Sequence, residues 1–287
     1  MSVGSHGNVR WSVQRFLIAT HGRTGSSVLC KALSMHPEID AYGELFHDSE
    51  VGRWPVRKRR CKIDEDPIAF CESVLWNPEQ SPKQCVGFKI FAHHARANDC
   101  QYRLWPWLTG DHTLPVILLR RHNLFDVYVS GLRCMRSNVW HLDVARGGAT
   151  RAFLSQLDDD SGIRYLSDGE AFRTAHDEPV TVDPAEFREF ADRTTAEVQW
   201  LEAAFSSHPH MYLEYEDLAS DLPGSVARVY RFLGQREIPC EVPFLRVNGV
   251  PHEVGVRNYR ELREYFRRSI HRSCFLDDGH GGSTDGT

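Results

Sequence analysis

Phe16-Leu-Ile-Ala-Thr20 runs directly into His21-Gly-Arg-Thr-Gly-Ser-Ser27 and then into Val28-Leu-Cys-Lys-Ala-Leu33. The order is a short apolar strand, a glycine-punctuated loop carrying one arginine, and an amphipathic helix opened by serines. This junction is suited to hold an anion. Backbone N–H groups at a helix N-terminus point outward with the positive end of the dipole behind them. Gly22 and Gly25 let the chain turn and let an anion approach the backbone. Ser26 and Ser27 can cap the helix or donate hydroxyls, and Arg23 adds a charge in bidentate geometry. The loop has no G-x-x-x-x-G-K-[ST] pattern, so an ATPase or GTPase reading loses its lysine and its magnesium-binding hydroxyl. It is also too short for a G-x-G-x-x-G dinucleotide turn.

Val116-Ile-Leu-Leu-Arg120-Arg121-His-Asn-Leu-Phe-Asp-Val-Tyr-Val-Ser130 repeats the strand-then-helix pattern. Val116 to Leu119 read as a buried parallel strand. Asn123 can cap a helix whose apolar face is Leu124, Val127, Tyr128, Leu132 and Met135. An arginine at the strand's carboxyl end and Ser130 two turns into the helix form a second anion site. Two separated phosphate sites imply a ligand with negative charge at both ends.

Here the chain resembles the sulfotransferases that use 3′-phosphoadenosine 5′-phosphosulfate (PAPS), and among them the bacterial carbohydrate type of the nodulation-factor and lipopolysaccharide enzymes. The resemblance runs from about Phe16 to about Leu276. Gly22-Arg-Thr-Gly-Ser-Ser27, with Arg23, Thr24, Gly25, Ser26 and Ser27, is similar to the family's 5′-phosphosulfate loop. The segment Arg121 to Ser130 is similar to its 3′-phosphate motif, with Arg120 the alternative to Arg121. Tyr42-Gly-Glu44-Leu-Phe46, Gly87-Phe-Lys89, Tyr215-Glu-Asp-Leu218 with Phe232-Leu-Gly234, and Asn258-Tyr-Arg-Glu-Leu262 are further landmarks. The resemblance implies an α/β fold: a single domain with a parallel β-sheet flanked by helices, the P-loop-like sulfotransferase fold. It implies PAPS as donor, adenosine 3′,5′-bisphosphate (PAP) as product, no metal, and a hydroxyl acceptor on a sugar or glycoconjugate. Arg257 and Asn258 join the donor-binding set, although Val247-Asn-Gly-Val-Pro-His252 lacks the lysine-rich stretch expected before them. Glu44 is the first choice of general base for the acceptor hydroxyl, with His93 and His94 as rivals. Lys89 resembles the family lysine near the bridging oxygen. A nucleotide-dependent kinase and a non-catalytic nucleotide- or glycan-binding protein are the alternatives.

Composition agrees with an enzyme of this size. The chain has 287 residues with 41% hydrophobic content, enough for one large core. A net charge of −5 gives no bulk attraction for nucleic acid. Arg53 to Lys62 is locally basic and reads either as a solvated loop or as an attractor of an anionic acceptor. The eight cysteines form no C-x-x-C pair and lie mostly in apolar patterns, as buried thiols in a reducing cytosol do. There is no signal-like N-terminus and no run of about 18 apolar residues. A cytoplasmic enzyme without an integral membrane segment is expected. Its oligomeric state is left open, a homodimer included.

Residues 1–14 read as a lead-in, 15–276 as the sulfotransferase domain and 277–287 as a disordered tail. Residues 141–180, with Asp158-Asp-Asp-Ser-Gly162, read as an acceptor-side lid or as a plain surface insertion. Cys85 to Phe91 and Met211 to Tyr215 read as strands, and Asp183-Pro opens a long helix. Leu222 to Leu233 and Asn258 to Arg272 read as further helices. Trp105, Trp107 and Trp140 are candidates for stacking on an acceptor, or for ordinary packing.

Overall fold

A computed structural model describes residues 13–47, 66–80, 83–96, 98–137, 178–240 and 250–276. Arg53 to Lys62, Trp140, the acidic run at Asp158, all but the end of the expected lid, and the tail lie outside the described residues. The sheet has five parallel strands: β1 Gln14–Thr20, β2 Ile39–Tyr42, β3 Cys85–Phe91, β4 Val116–Arg120 and β5 His210–Glu214. Their order is β2-β3-β1-β4-β5. All neighbours pair in parallel, so helical crossovers cover both faces. The expected α/β architecture is therefore present.

This order matters for the site. β1 lies in the middle, with β3 on one side and β4 on the other, and every strand ends at the same edge. In register, Ile18 pairs with both Lys89 and Ile117, and Thr20 with Leu119. The turns after β1 and β4 therefore start side by side, and the ends of β2 and β3 lie just beyond. Open α/β sheets hold their ligands in this crevice. β3 is buried along its whole length, Lys89 included. Gly87 lets Phe16 cross the sheet face, since a Cβ there would lie 2.5 Å from the Phe16 ring.

Helix α1, Ser26–Ser34, follows β1 and buries Leu29, Cys30, Ala32 and Leu33 against one sheet face. Helix α2, Leu104–Gly110, packs on the other face, where Trp76, Phe88 and Trp105 fill the core. Helix α3, Leu124–Ser137, follows β4. Its buried residues are Phe125, Val127, Val129, Ser130, Arg133 and Cys134, whereas Met135 is exposed. The single stripe expected from Leu124 to Met135 is thus corrected: this helix is packed on two sides, so a one-faced pattern misassigns it. Phe125 and Val129 join a separate aromatic cluster with Phe187, Phe266 and Phe275.

Helix α4, Pro184–Ala204, begins as expected. Asp183 accepts from the N–H groups of Ala185 and Glu186, with Pro184 in the first turn. After β5 come α5, Tyr215–Ser220, and α6, Leu222–Phe232, then α7, His252–Gly255, and α8, Tyr259–Tyr265. The long helix expected from Asn258 to Arg272 is two pieces. It stops at Tyr265, and Ser269 starts a separate 3₁₀ segment, Ile270–Phe275, by accepting from the His271 N–H. The break lets Phe266 and Phe275 stack at 5.1 Å over the aromatic cluster.

Candidate active site

The loop after β1 is held from below by its threonines. Thr20 Oγ1 donates to the Leu119 carbonyl at 2.6 Å and lies 2.9 Å from Thr24 Oγ1. Thr24 is fully buried and donates to the His21 carbonyl, so it braces the loop and does not face outward. Arg23 at φ 63° and Gly25 at φ 74° take the left-handed conformation. Gly25 adopts it without cost, whereas a held arginine in that region is an outlier of the kind that gathers at functional sites. Gly22 makes no left-handed turn, but a Cβ there would meet nothing within 4 Å, so its surface is open. Gly25 is the N-cap of α1, and no side chain caps the helix. The serine capping allowed for by the sequence is absent. Ser27 is engaged elsewhere, and the first N–H groups of α1 keep no side-chain partner at the cap.

The second anion motif meets the first directly. Arg23 Nε donates to Ser130 Oγ at 2.9 Å. Arg121 lies behind this pair. Its Nη1 donates to the Arg23 carbonyl at 3.4 Å, its Nη2 binds Asp126 Oδ2 at 2.6 Å, and its guanidinium stacks 4.0 Å over the Tyr215 ring. Asp126 also meets His252 Nε2 at 2.5 Å. Burial alone would raise the Asp126 carboxyl, but the His252 hydrogen bond and the Arg121 charge outweigh it and hold it below the usual carboxylate range. Arg120 points away: it binds Glu214 at 2.8 Å and Glu202 at 2.7 Å. Of the adjacent arginines, Arg121 is the one that borders the loop.

Glu44, two residues beyond β2, forms the third part. Its Oε1 is 2.9 Å from Lys89 Nζ, and the same ammonium donates to Ser27 Oγ at 3.0 Å. Lys89 is only 3% exposed. A buried lysine requires a partner of this kind, since an unpaired charge there would be costly. The result is a continuous chain from carboxylate to ammonium to the first turn of α1. His94 Nε2 lies 3.8 Å from Glu44 Oε2, and His94 is buried. His93 is half exposed and faces Glu197 at 3.7 Å.

The remaining expected residues fall elsewhere. Asn258 spends both ends of its amide on the Val182 backbone, at 3.1 and 2.8 Å. Arg257 donates to the Pro179 carbonyl and lines an open hollow of about 560 Å³ with Leu132, Met135 and Arg136. No described contact joins Arg257 or Asn258 to the Gly22–Ser27 loop. Trp105 is buried and donates to the His94 carbonyl at 2.9 Å, and Trp107 stacks on Trp76 at 5.5 Å. Both are packing residues.

Over 270 residues the chain is 27% identical to nodulation protein H of Rhizobium meliloti strain 1021, covering 91% of this chain and 95% of that protein. A second Rhizobium meliloti nodulation protein H is 26% identical over 269 residues, covering 91% and 94%. No family model matches the chain. A match over 91% of this chain takes in Glu44, Lys89 and Ser130.

Among solved structures, this chain is similar to a sulfotransferase from Alicyclobacillus acidocaldarius, with a TM-score of 0.47 and 14% identity over 90% of this chain and 93% of that one. It is also similar to mouse sulfotransferase SULT7A1 complexed with PAP, with a TM-score of 0.39 and 12% identity over 91% and 88%. No helix among its described residues is long and apolar enough to cross a membrane. Sequence reasoning missed Asp126, His252 and Tyr215 around Arg121. Asp126 alone carried a local signal: it follows the arginine by just over a helical turn, at the start of α3. His252 and Tyr215 reach the cluster only through the tertiary fold.

Proposed function

We propose that this protein is a sulfotransferase that moves the sulfuryl group of PAPS to a hydroxyl of a carbohydrate, glycolipid or glycosylated natural product by in-line transfer, releasing PAP. The observation that carries the proposal is the unbroken contact Glu44–Lys89–Ser27 at the edge where the anion loop opens. It sets a base, a cation and helix N–H donors side by side. Sulfuryl transfer resembles phosphoryl transfer: the transition state is loose and charge grows on the departing phosphate oxygen, so positioned cations and N–H groups supply most of the catalysis.

Each group then has a role. The N–H groups of Gly25 to Ser27 hold the 5′-phosphosulfate. Arg23, hydrogen-bonded to Ser130, stands between the donor's two charged ends, and Ser130 turns its hydroxyl to the 3′-phosphate. Arg121 fixes the Arg23 backbone from beneath. The acceptor hydroxyl gives its proton to Glu44 as its oxygen bonds to sulfur. The sulfur–oxygen bond to the phosphate breaks, and Lys89 compensates the charge left on that oxygen. No metal is needed for these steps. The carbohydrate class of acceptor is supported by the full-length likeness to nodulation protein H. A cytoplasmic location accompanies the reading, supported by Cys30, Cys71, Cys85, Cys134 and Cys274 as buried free thiols.

The test is transfer of labelled sulfate from PAPS across a panel of oligosaccharide and glycolipid acceptors, without added metal. Transfer that is abolished in Glu44→Gln, with PAP binding retained, is expected. Magnesium-dependent consumption of ATP with no sulfate transfer would move the protein to the kinase reading.

A further inference from the structure

His94 was a rival to Glu44 as the base, and its surroundings give it a different task. Its Nδ1 accepts a hydrogen bond from the Phe91 N–H at 3.2 Å. A ring nitrogen that accepts from an N–H carries no proton, so in the neutral ring the proton sits on Nε2. Nε2 is buried, has no hydrogen-bond partner among the described residues, and lies 3.8 Å from Glu44 Oε2. That distance is too long for a hydrogen bond, but catalytic contacts are often long before substrate binds and tighten in the complex.

The ring cannot easily turn away. His94 is 1% exposed and packs on Phe91 at 4.5 Å and on His47 and His93 at 4.9 Å each. Trp105 Nε1 holds its carbonyl at 2.9 Å. The next residue, Ala95, takes φ 55° and donates to the Phe46 carbonyl at 3.0 Å, which ties this turn to the loop carrying Glu44. Burial, and then the charges of His93, His47 and Lys89, push the His94 ring well below the usual imidazole range.

We propose that His94 is a positioning residue for Glu44, its proton locked on Nε2 and offered to Glu44 Oε2 when the acceptor closes the site. This rests on the reading of Glu44 as the base. The carboxylate is then held at both oxygens, Oε1 by Lys89 and Oε2 by His94, and its ionised form is favoured. The groups facing this pair are Lys89 on β3, Cys30 on α1, and His47 and His93 on the adjoining turns, with Glu197 of α4 opposite His93. Nitrogens of His47, His93 and His94 lie within 4.8 Å of one another, a spacing that would suit a metal ion. The locked proton leaves His94 no lone pair on the free nitrogen for such a role.

The experiment is the pH dependence of kcat and kcat/KM for wild type, His94→Ala, His94→Gln and Glu44→Gln, with PAP affinity as a check on the donor site. The glutamine side chain can offer an N–H close to the place of Nε2. His94→Ala is expected to lose at least tenfold in kcat with donor KM unchanged and to move the acid limb about one pH unit upward. His94→Gln is expected to return the limb toward wild type and recover most of the rate. If His94→Ala fails to fold, the acid limb of His94→Gln decides alone: a wild-type limb supports the proposal and a limb moved upward contradicts it. Equal impairment of both variants with an unmoved limb overturns it, as does stoichiometric zinc in the wild-type protein that His94→Ala loses. Full rate in Glu44→Gln would instead remove the base itself, a result distinct from either outcome at His94.

Discussion

Arg23 Nε donates to Ser130 Oγ at 2.9 Å, joining segments 107 residues apart. The sheet order makes this possible. β1 and β4 are neighbours, so the turn after β1 and the helix after β4 rise from the same edge. What reads along the chain as two phosphate motifs is one continuous surface, with Arg121 packed behind it.

Arg23→Ala removes the side chain that reaches from the first motif to the Ser130 hydroxyl of the second. Charge-assisted hydrogen bonds contribute about 1.5–3 kcal/mol, so PAP affinity is expected to fall roughly 10- to 100-fold. Ser130→Ala forms the weaker half, and about a fivefold loss is expected. Because the two side chains touch, the double variant should lose less than the sum. Isothermal titration with PAP reads all three.

Arg121 and Arg120 should separate cleanly. Arg121→Ala leaves Asp126 with one partner fewer beside a buried cluster, and a loss of about 2–4 kcal/mol in unfolding free energy is expected. Arg120 sits on the Glu202 and Glu214 side, so Arg120→Ala should leave PAP affinity unchanged. Urea denaturation alongside titration distinguishes the pair.

Lys89→Met keeps the length of a buried side chain while removing its charge. Turnover is expected to fall about 100-fold or more, with the fold retained. Lys89→Arg should not rescue it, because the wider guanidinium does not fit a site where the lysine is 3% exposed. Single-turnover kinetics and a thermal melt test both statements.

Stability should fall with acid in two stages. Burial, with a smaller contribution from Arg121, lowers His21 to about 4 against the opposing Gly22 hydrogen bond and Glu197 charge. Below about pH 6.5 the unfolded chain takes up a proton that the folded chain refuses, so stability is lost as pH falls from about 6.5 to about 4, by roughly 3 kcal/mol at most. Asp126 has the opposite origin but the same direction. Its carboxyl is depressed in the fold, so its contribution is present above about pH 3.9 and is lost as pH falls further. His94, also held well below the usual imidazole range by burial, adds to the first stage, so His21→Gln should flatten that stage only in part and Arg121→Ala the second in part, in denaturation midpoints followed from pH 7 to pH 3.

The strand, loop and helix from Phe16 to Leu33 were legible because apolar run, glycines and serines follow one another without interruption. The same holds for Val116 to Ser130 and for the Asp183-Pro184 helix start. Convergence was not legible. That Lys89 is buried between Glu44 and Ser27 depends on β3 lying between β2 and β1, and no local pattern encodes that order. Arg121 read as a ligand-facing cation, yet its nearest charge is Asp126, itself held by His252 from the far end of the chain. The α3 stripe failed for a related reason: Phe125 and Val129 face the aromatic cluster while Ser130 and Arg133 are buried too, so one helical period cannot describe it.

The most direct measurement is calorimetry of the wild-type protein with PAP against ADP, in the absence of metal. If Arg23 and Ser130 read a 3′-phosphate, PAP binds at least 100-fold more tightly than ADP, and Ser130→Ala narrows the gap. Equal affinity for the two nucleotides, or tighter binding of ADP, would contradict the donor site at the centre of this account.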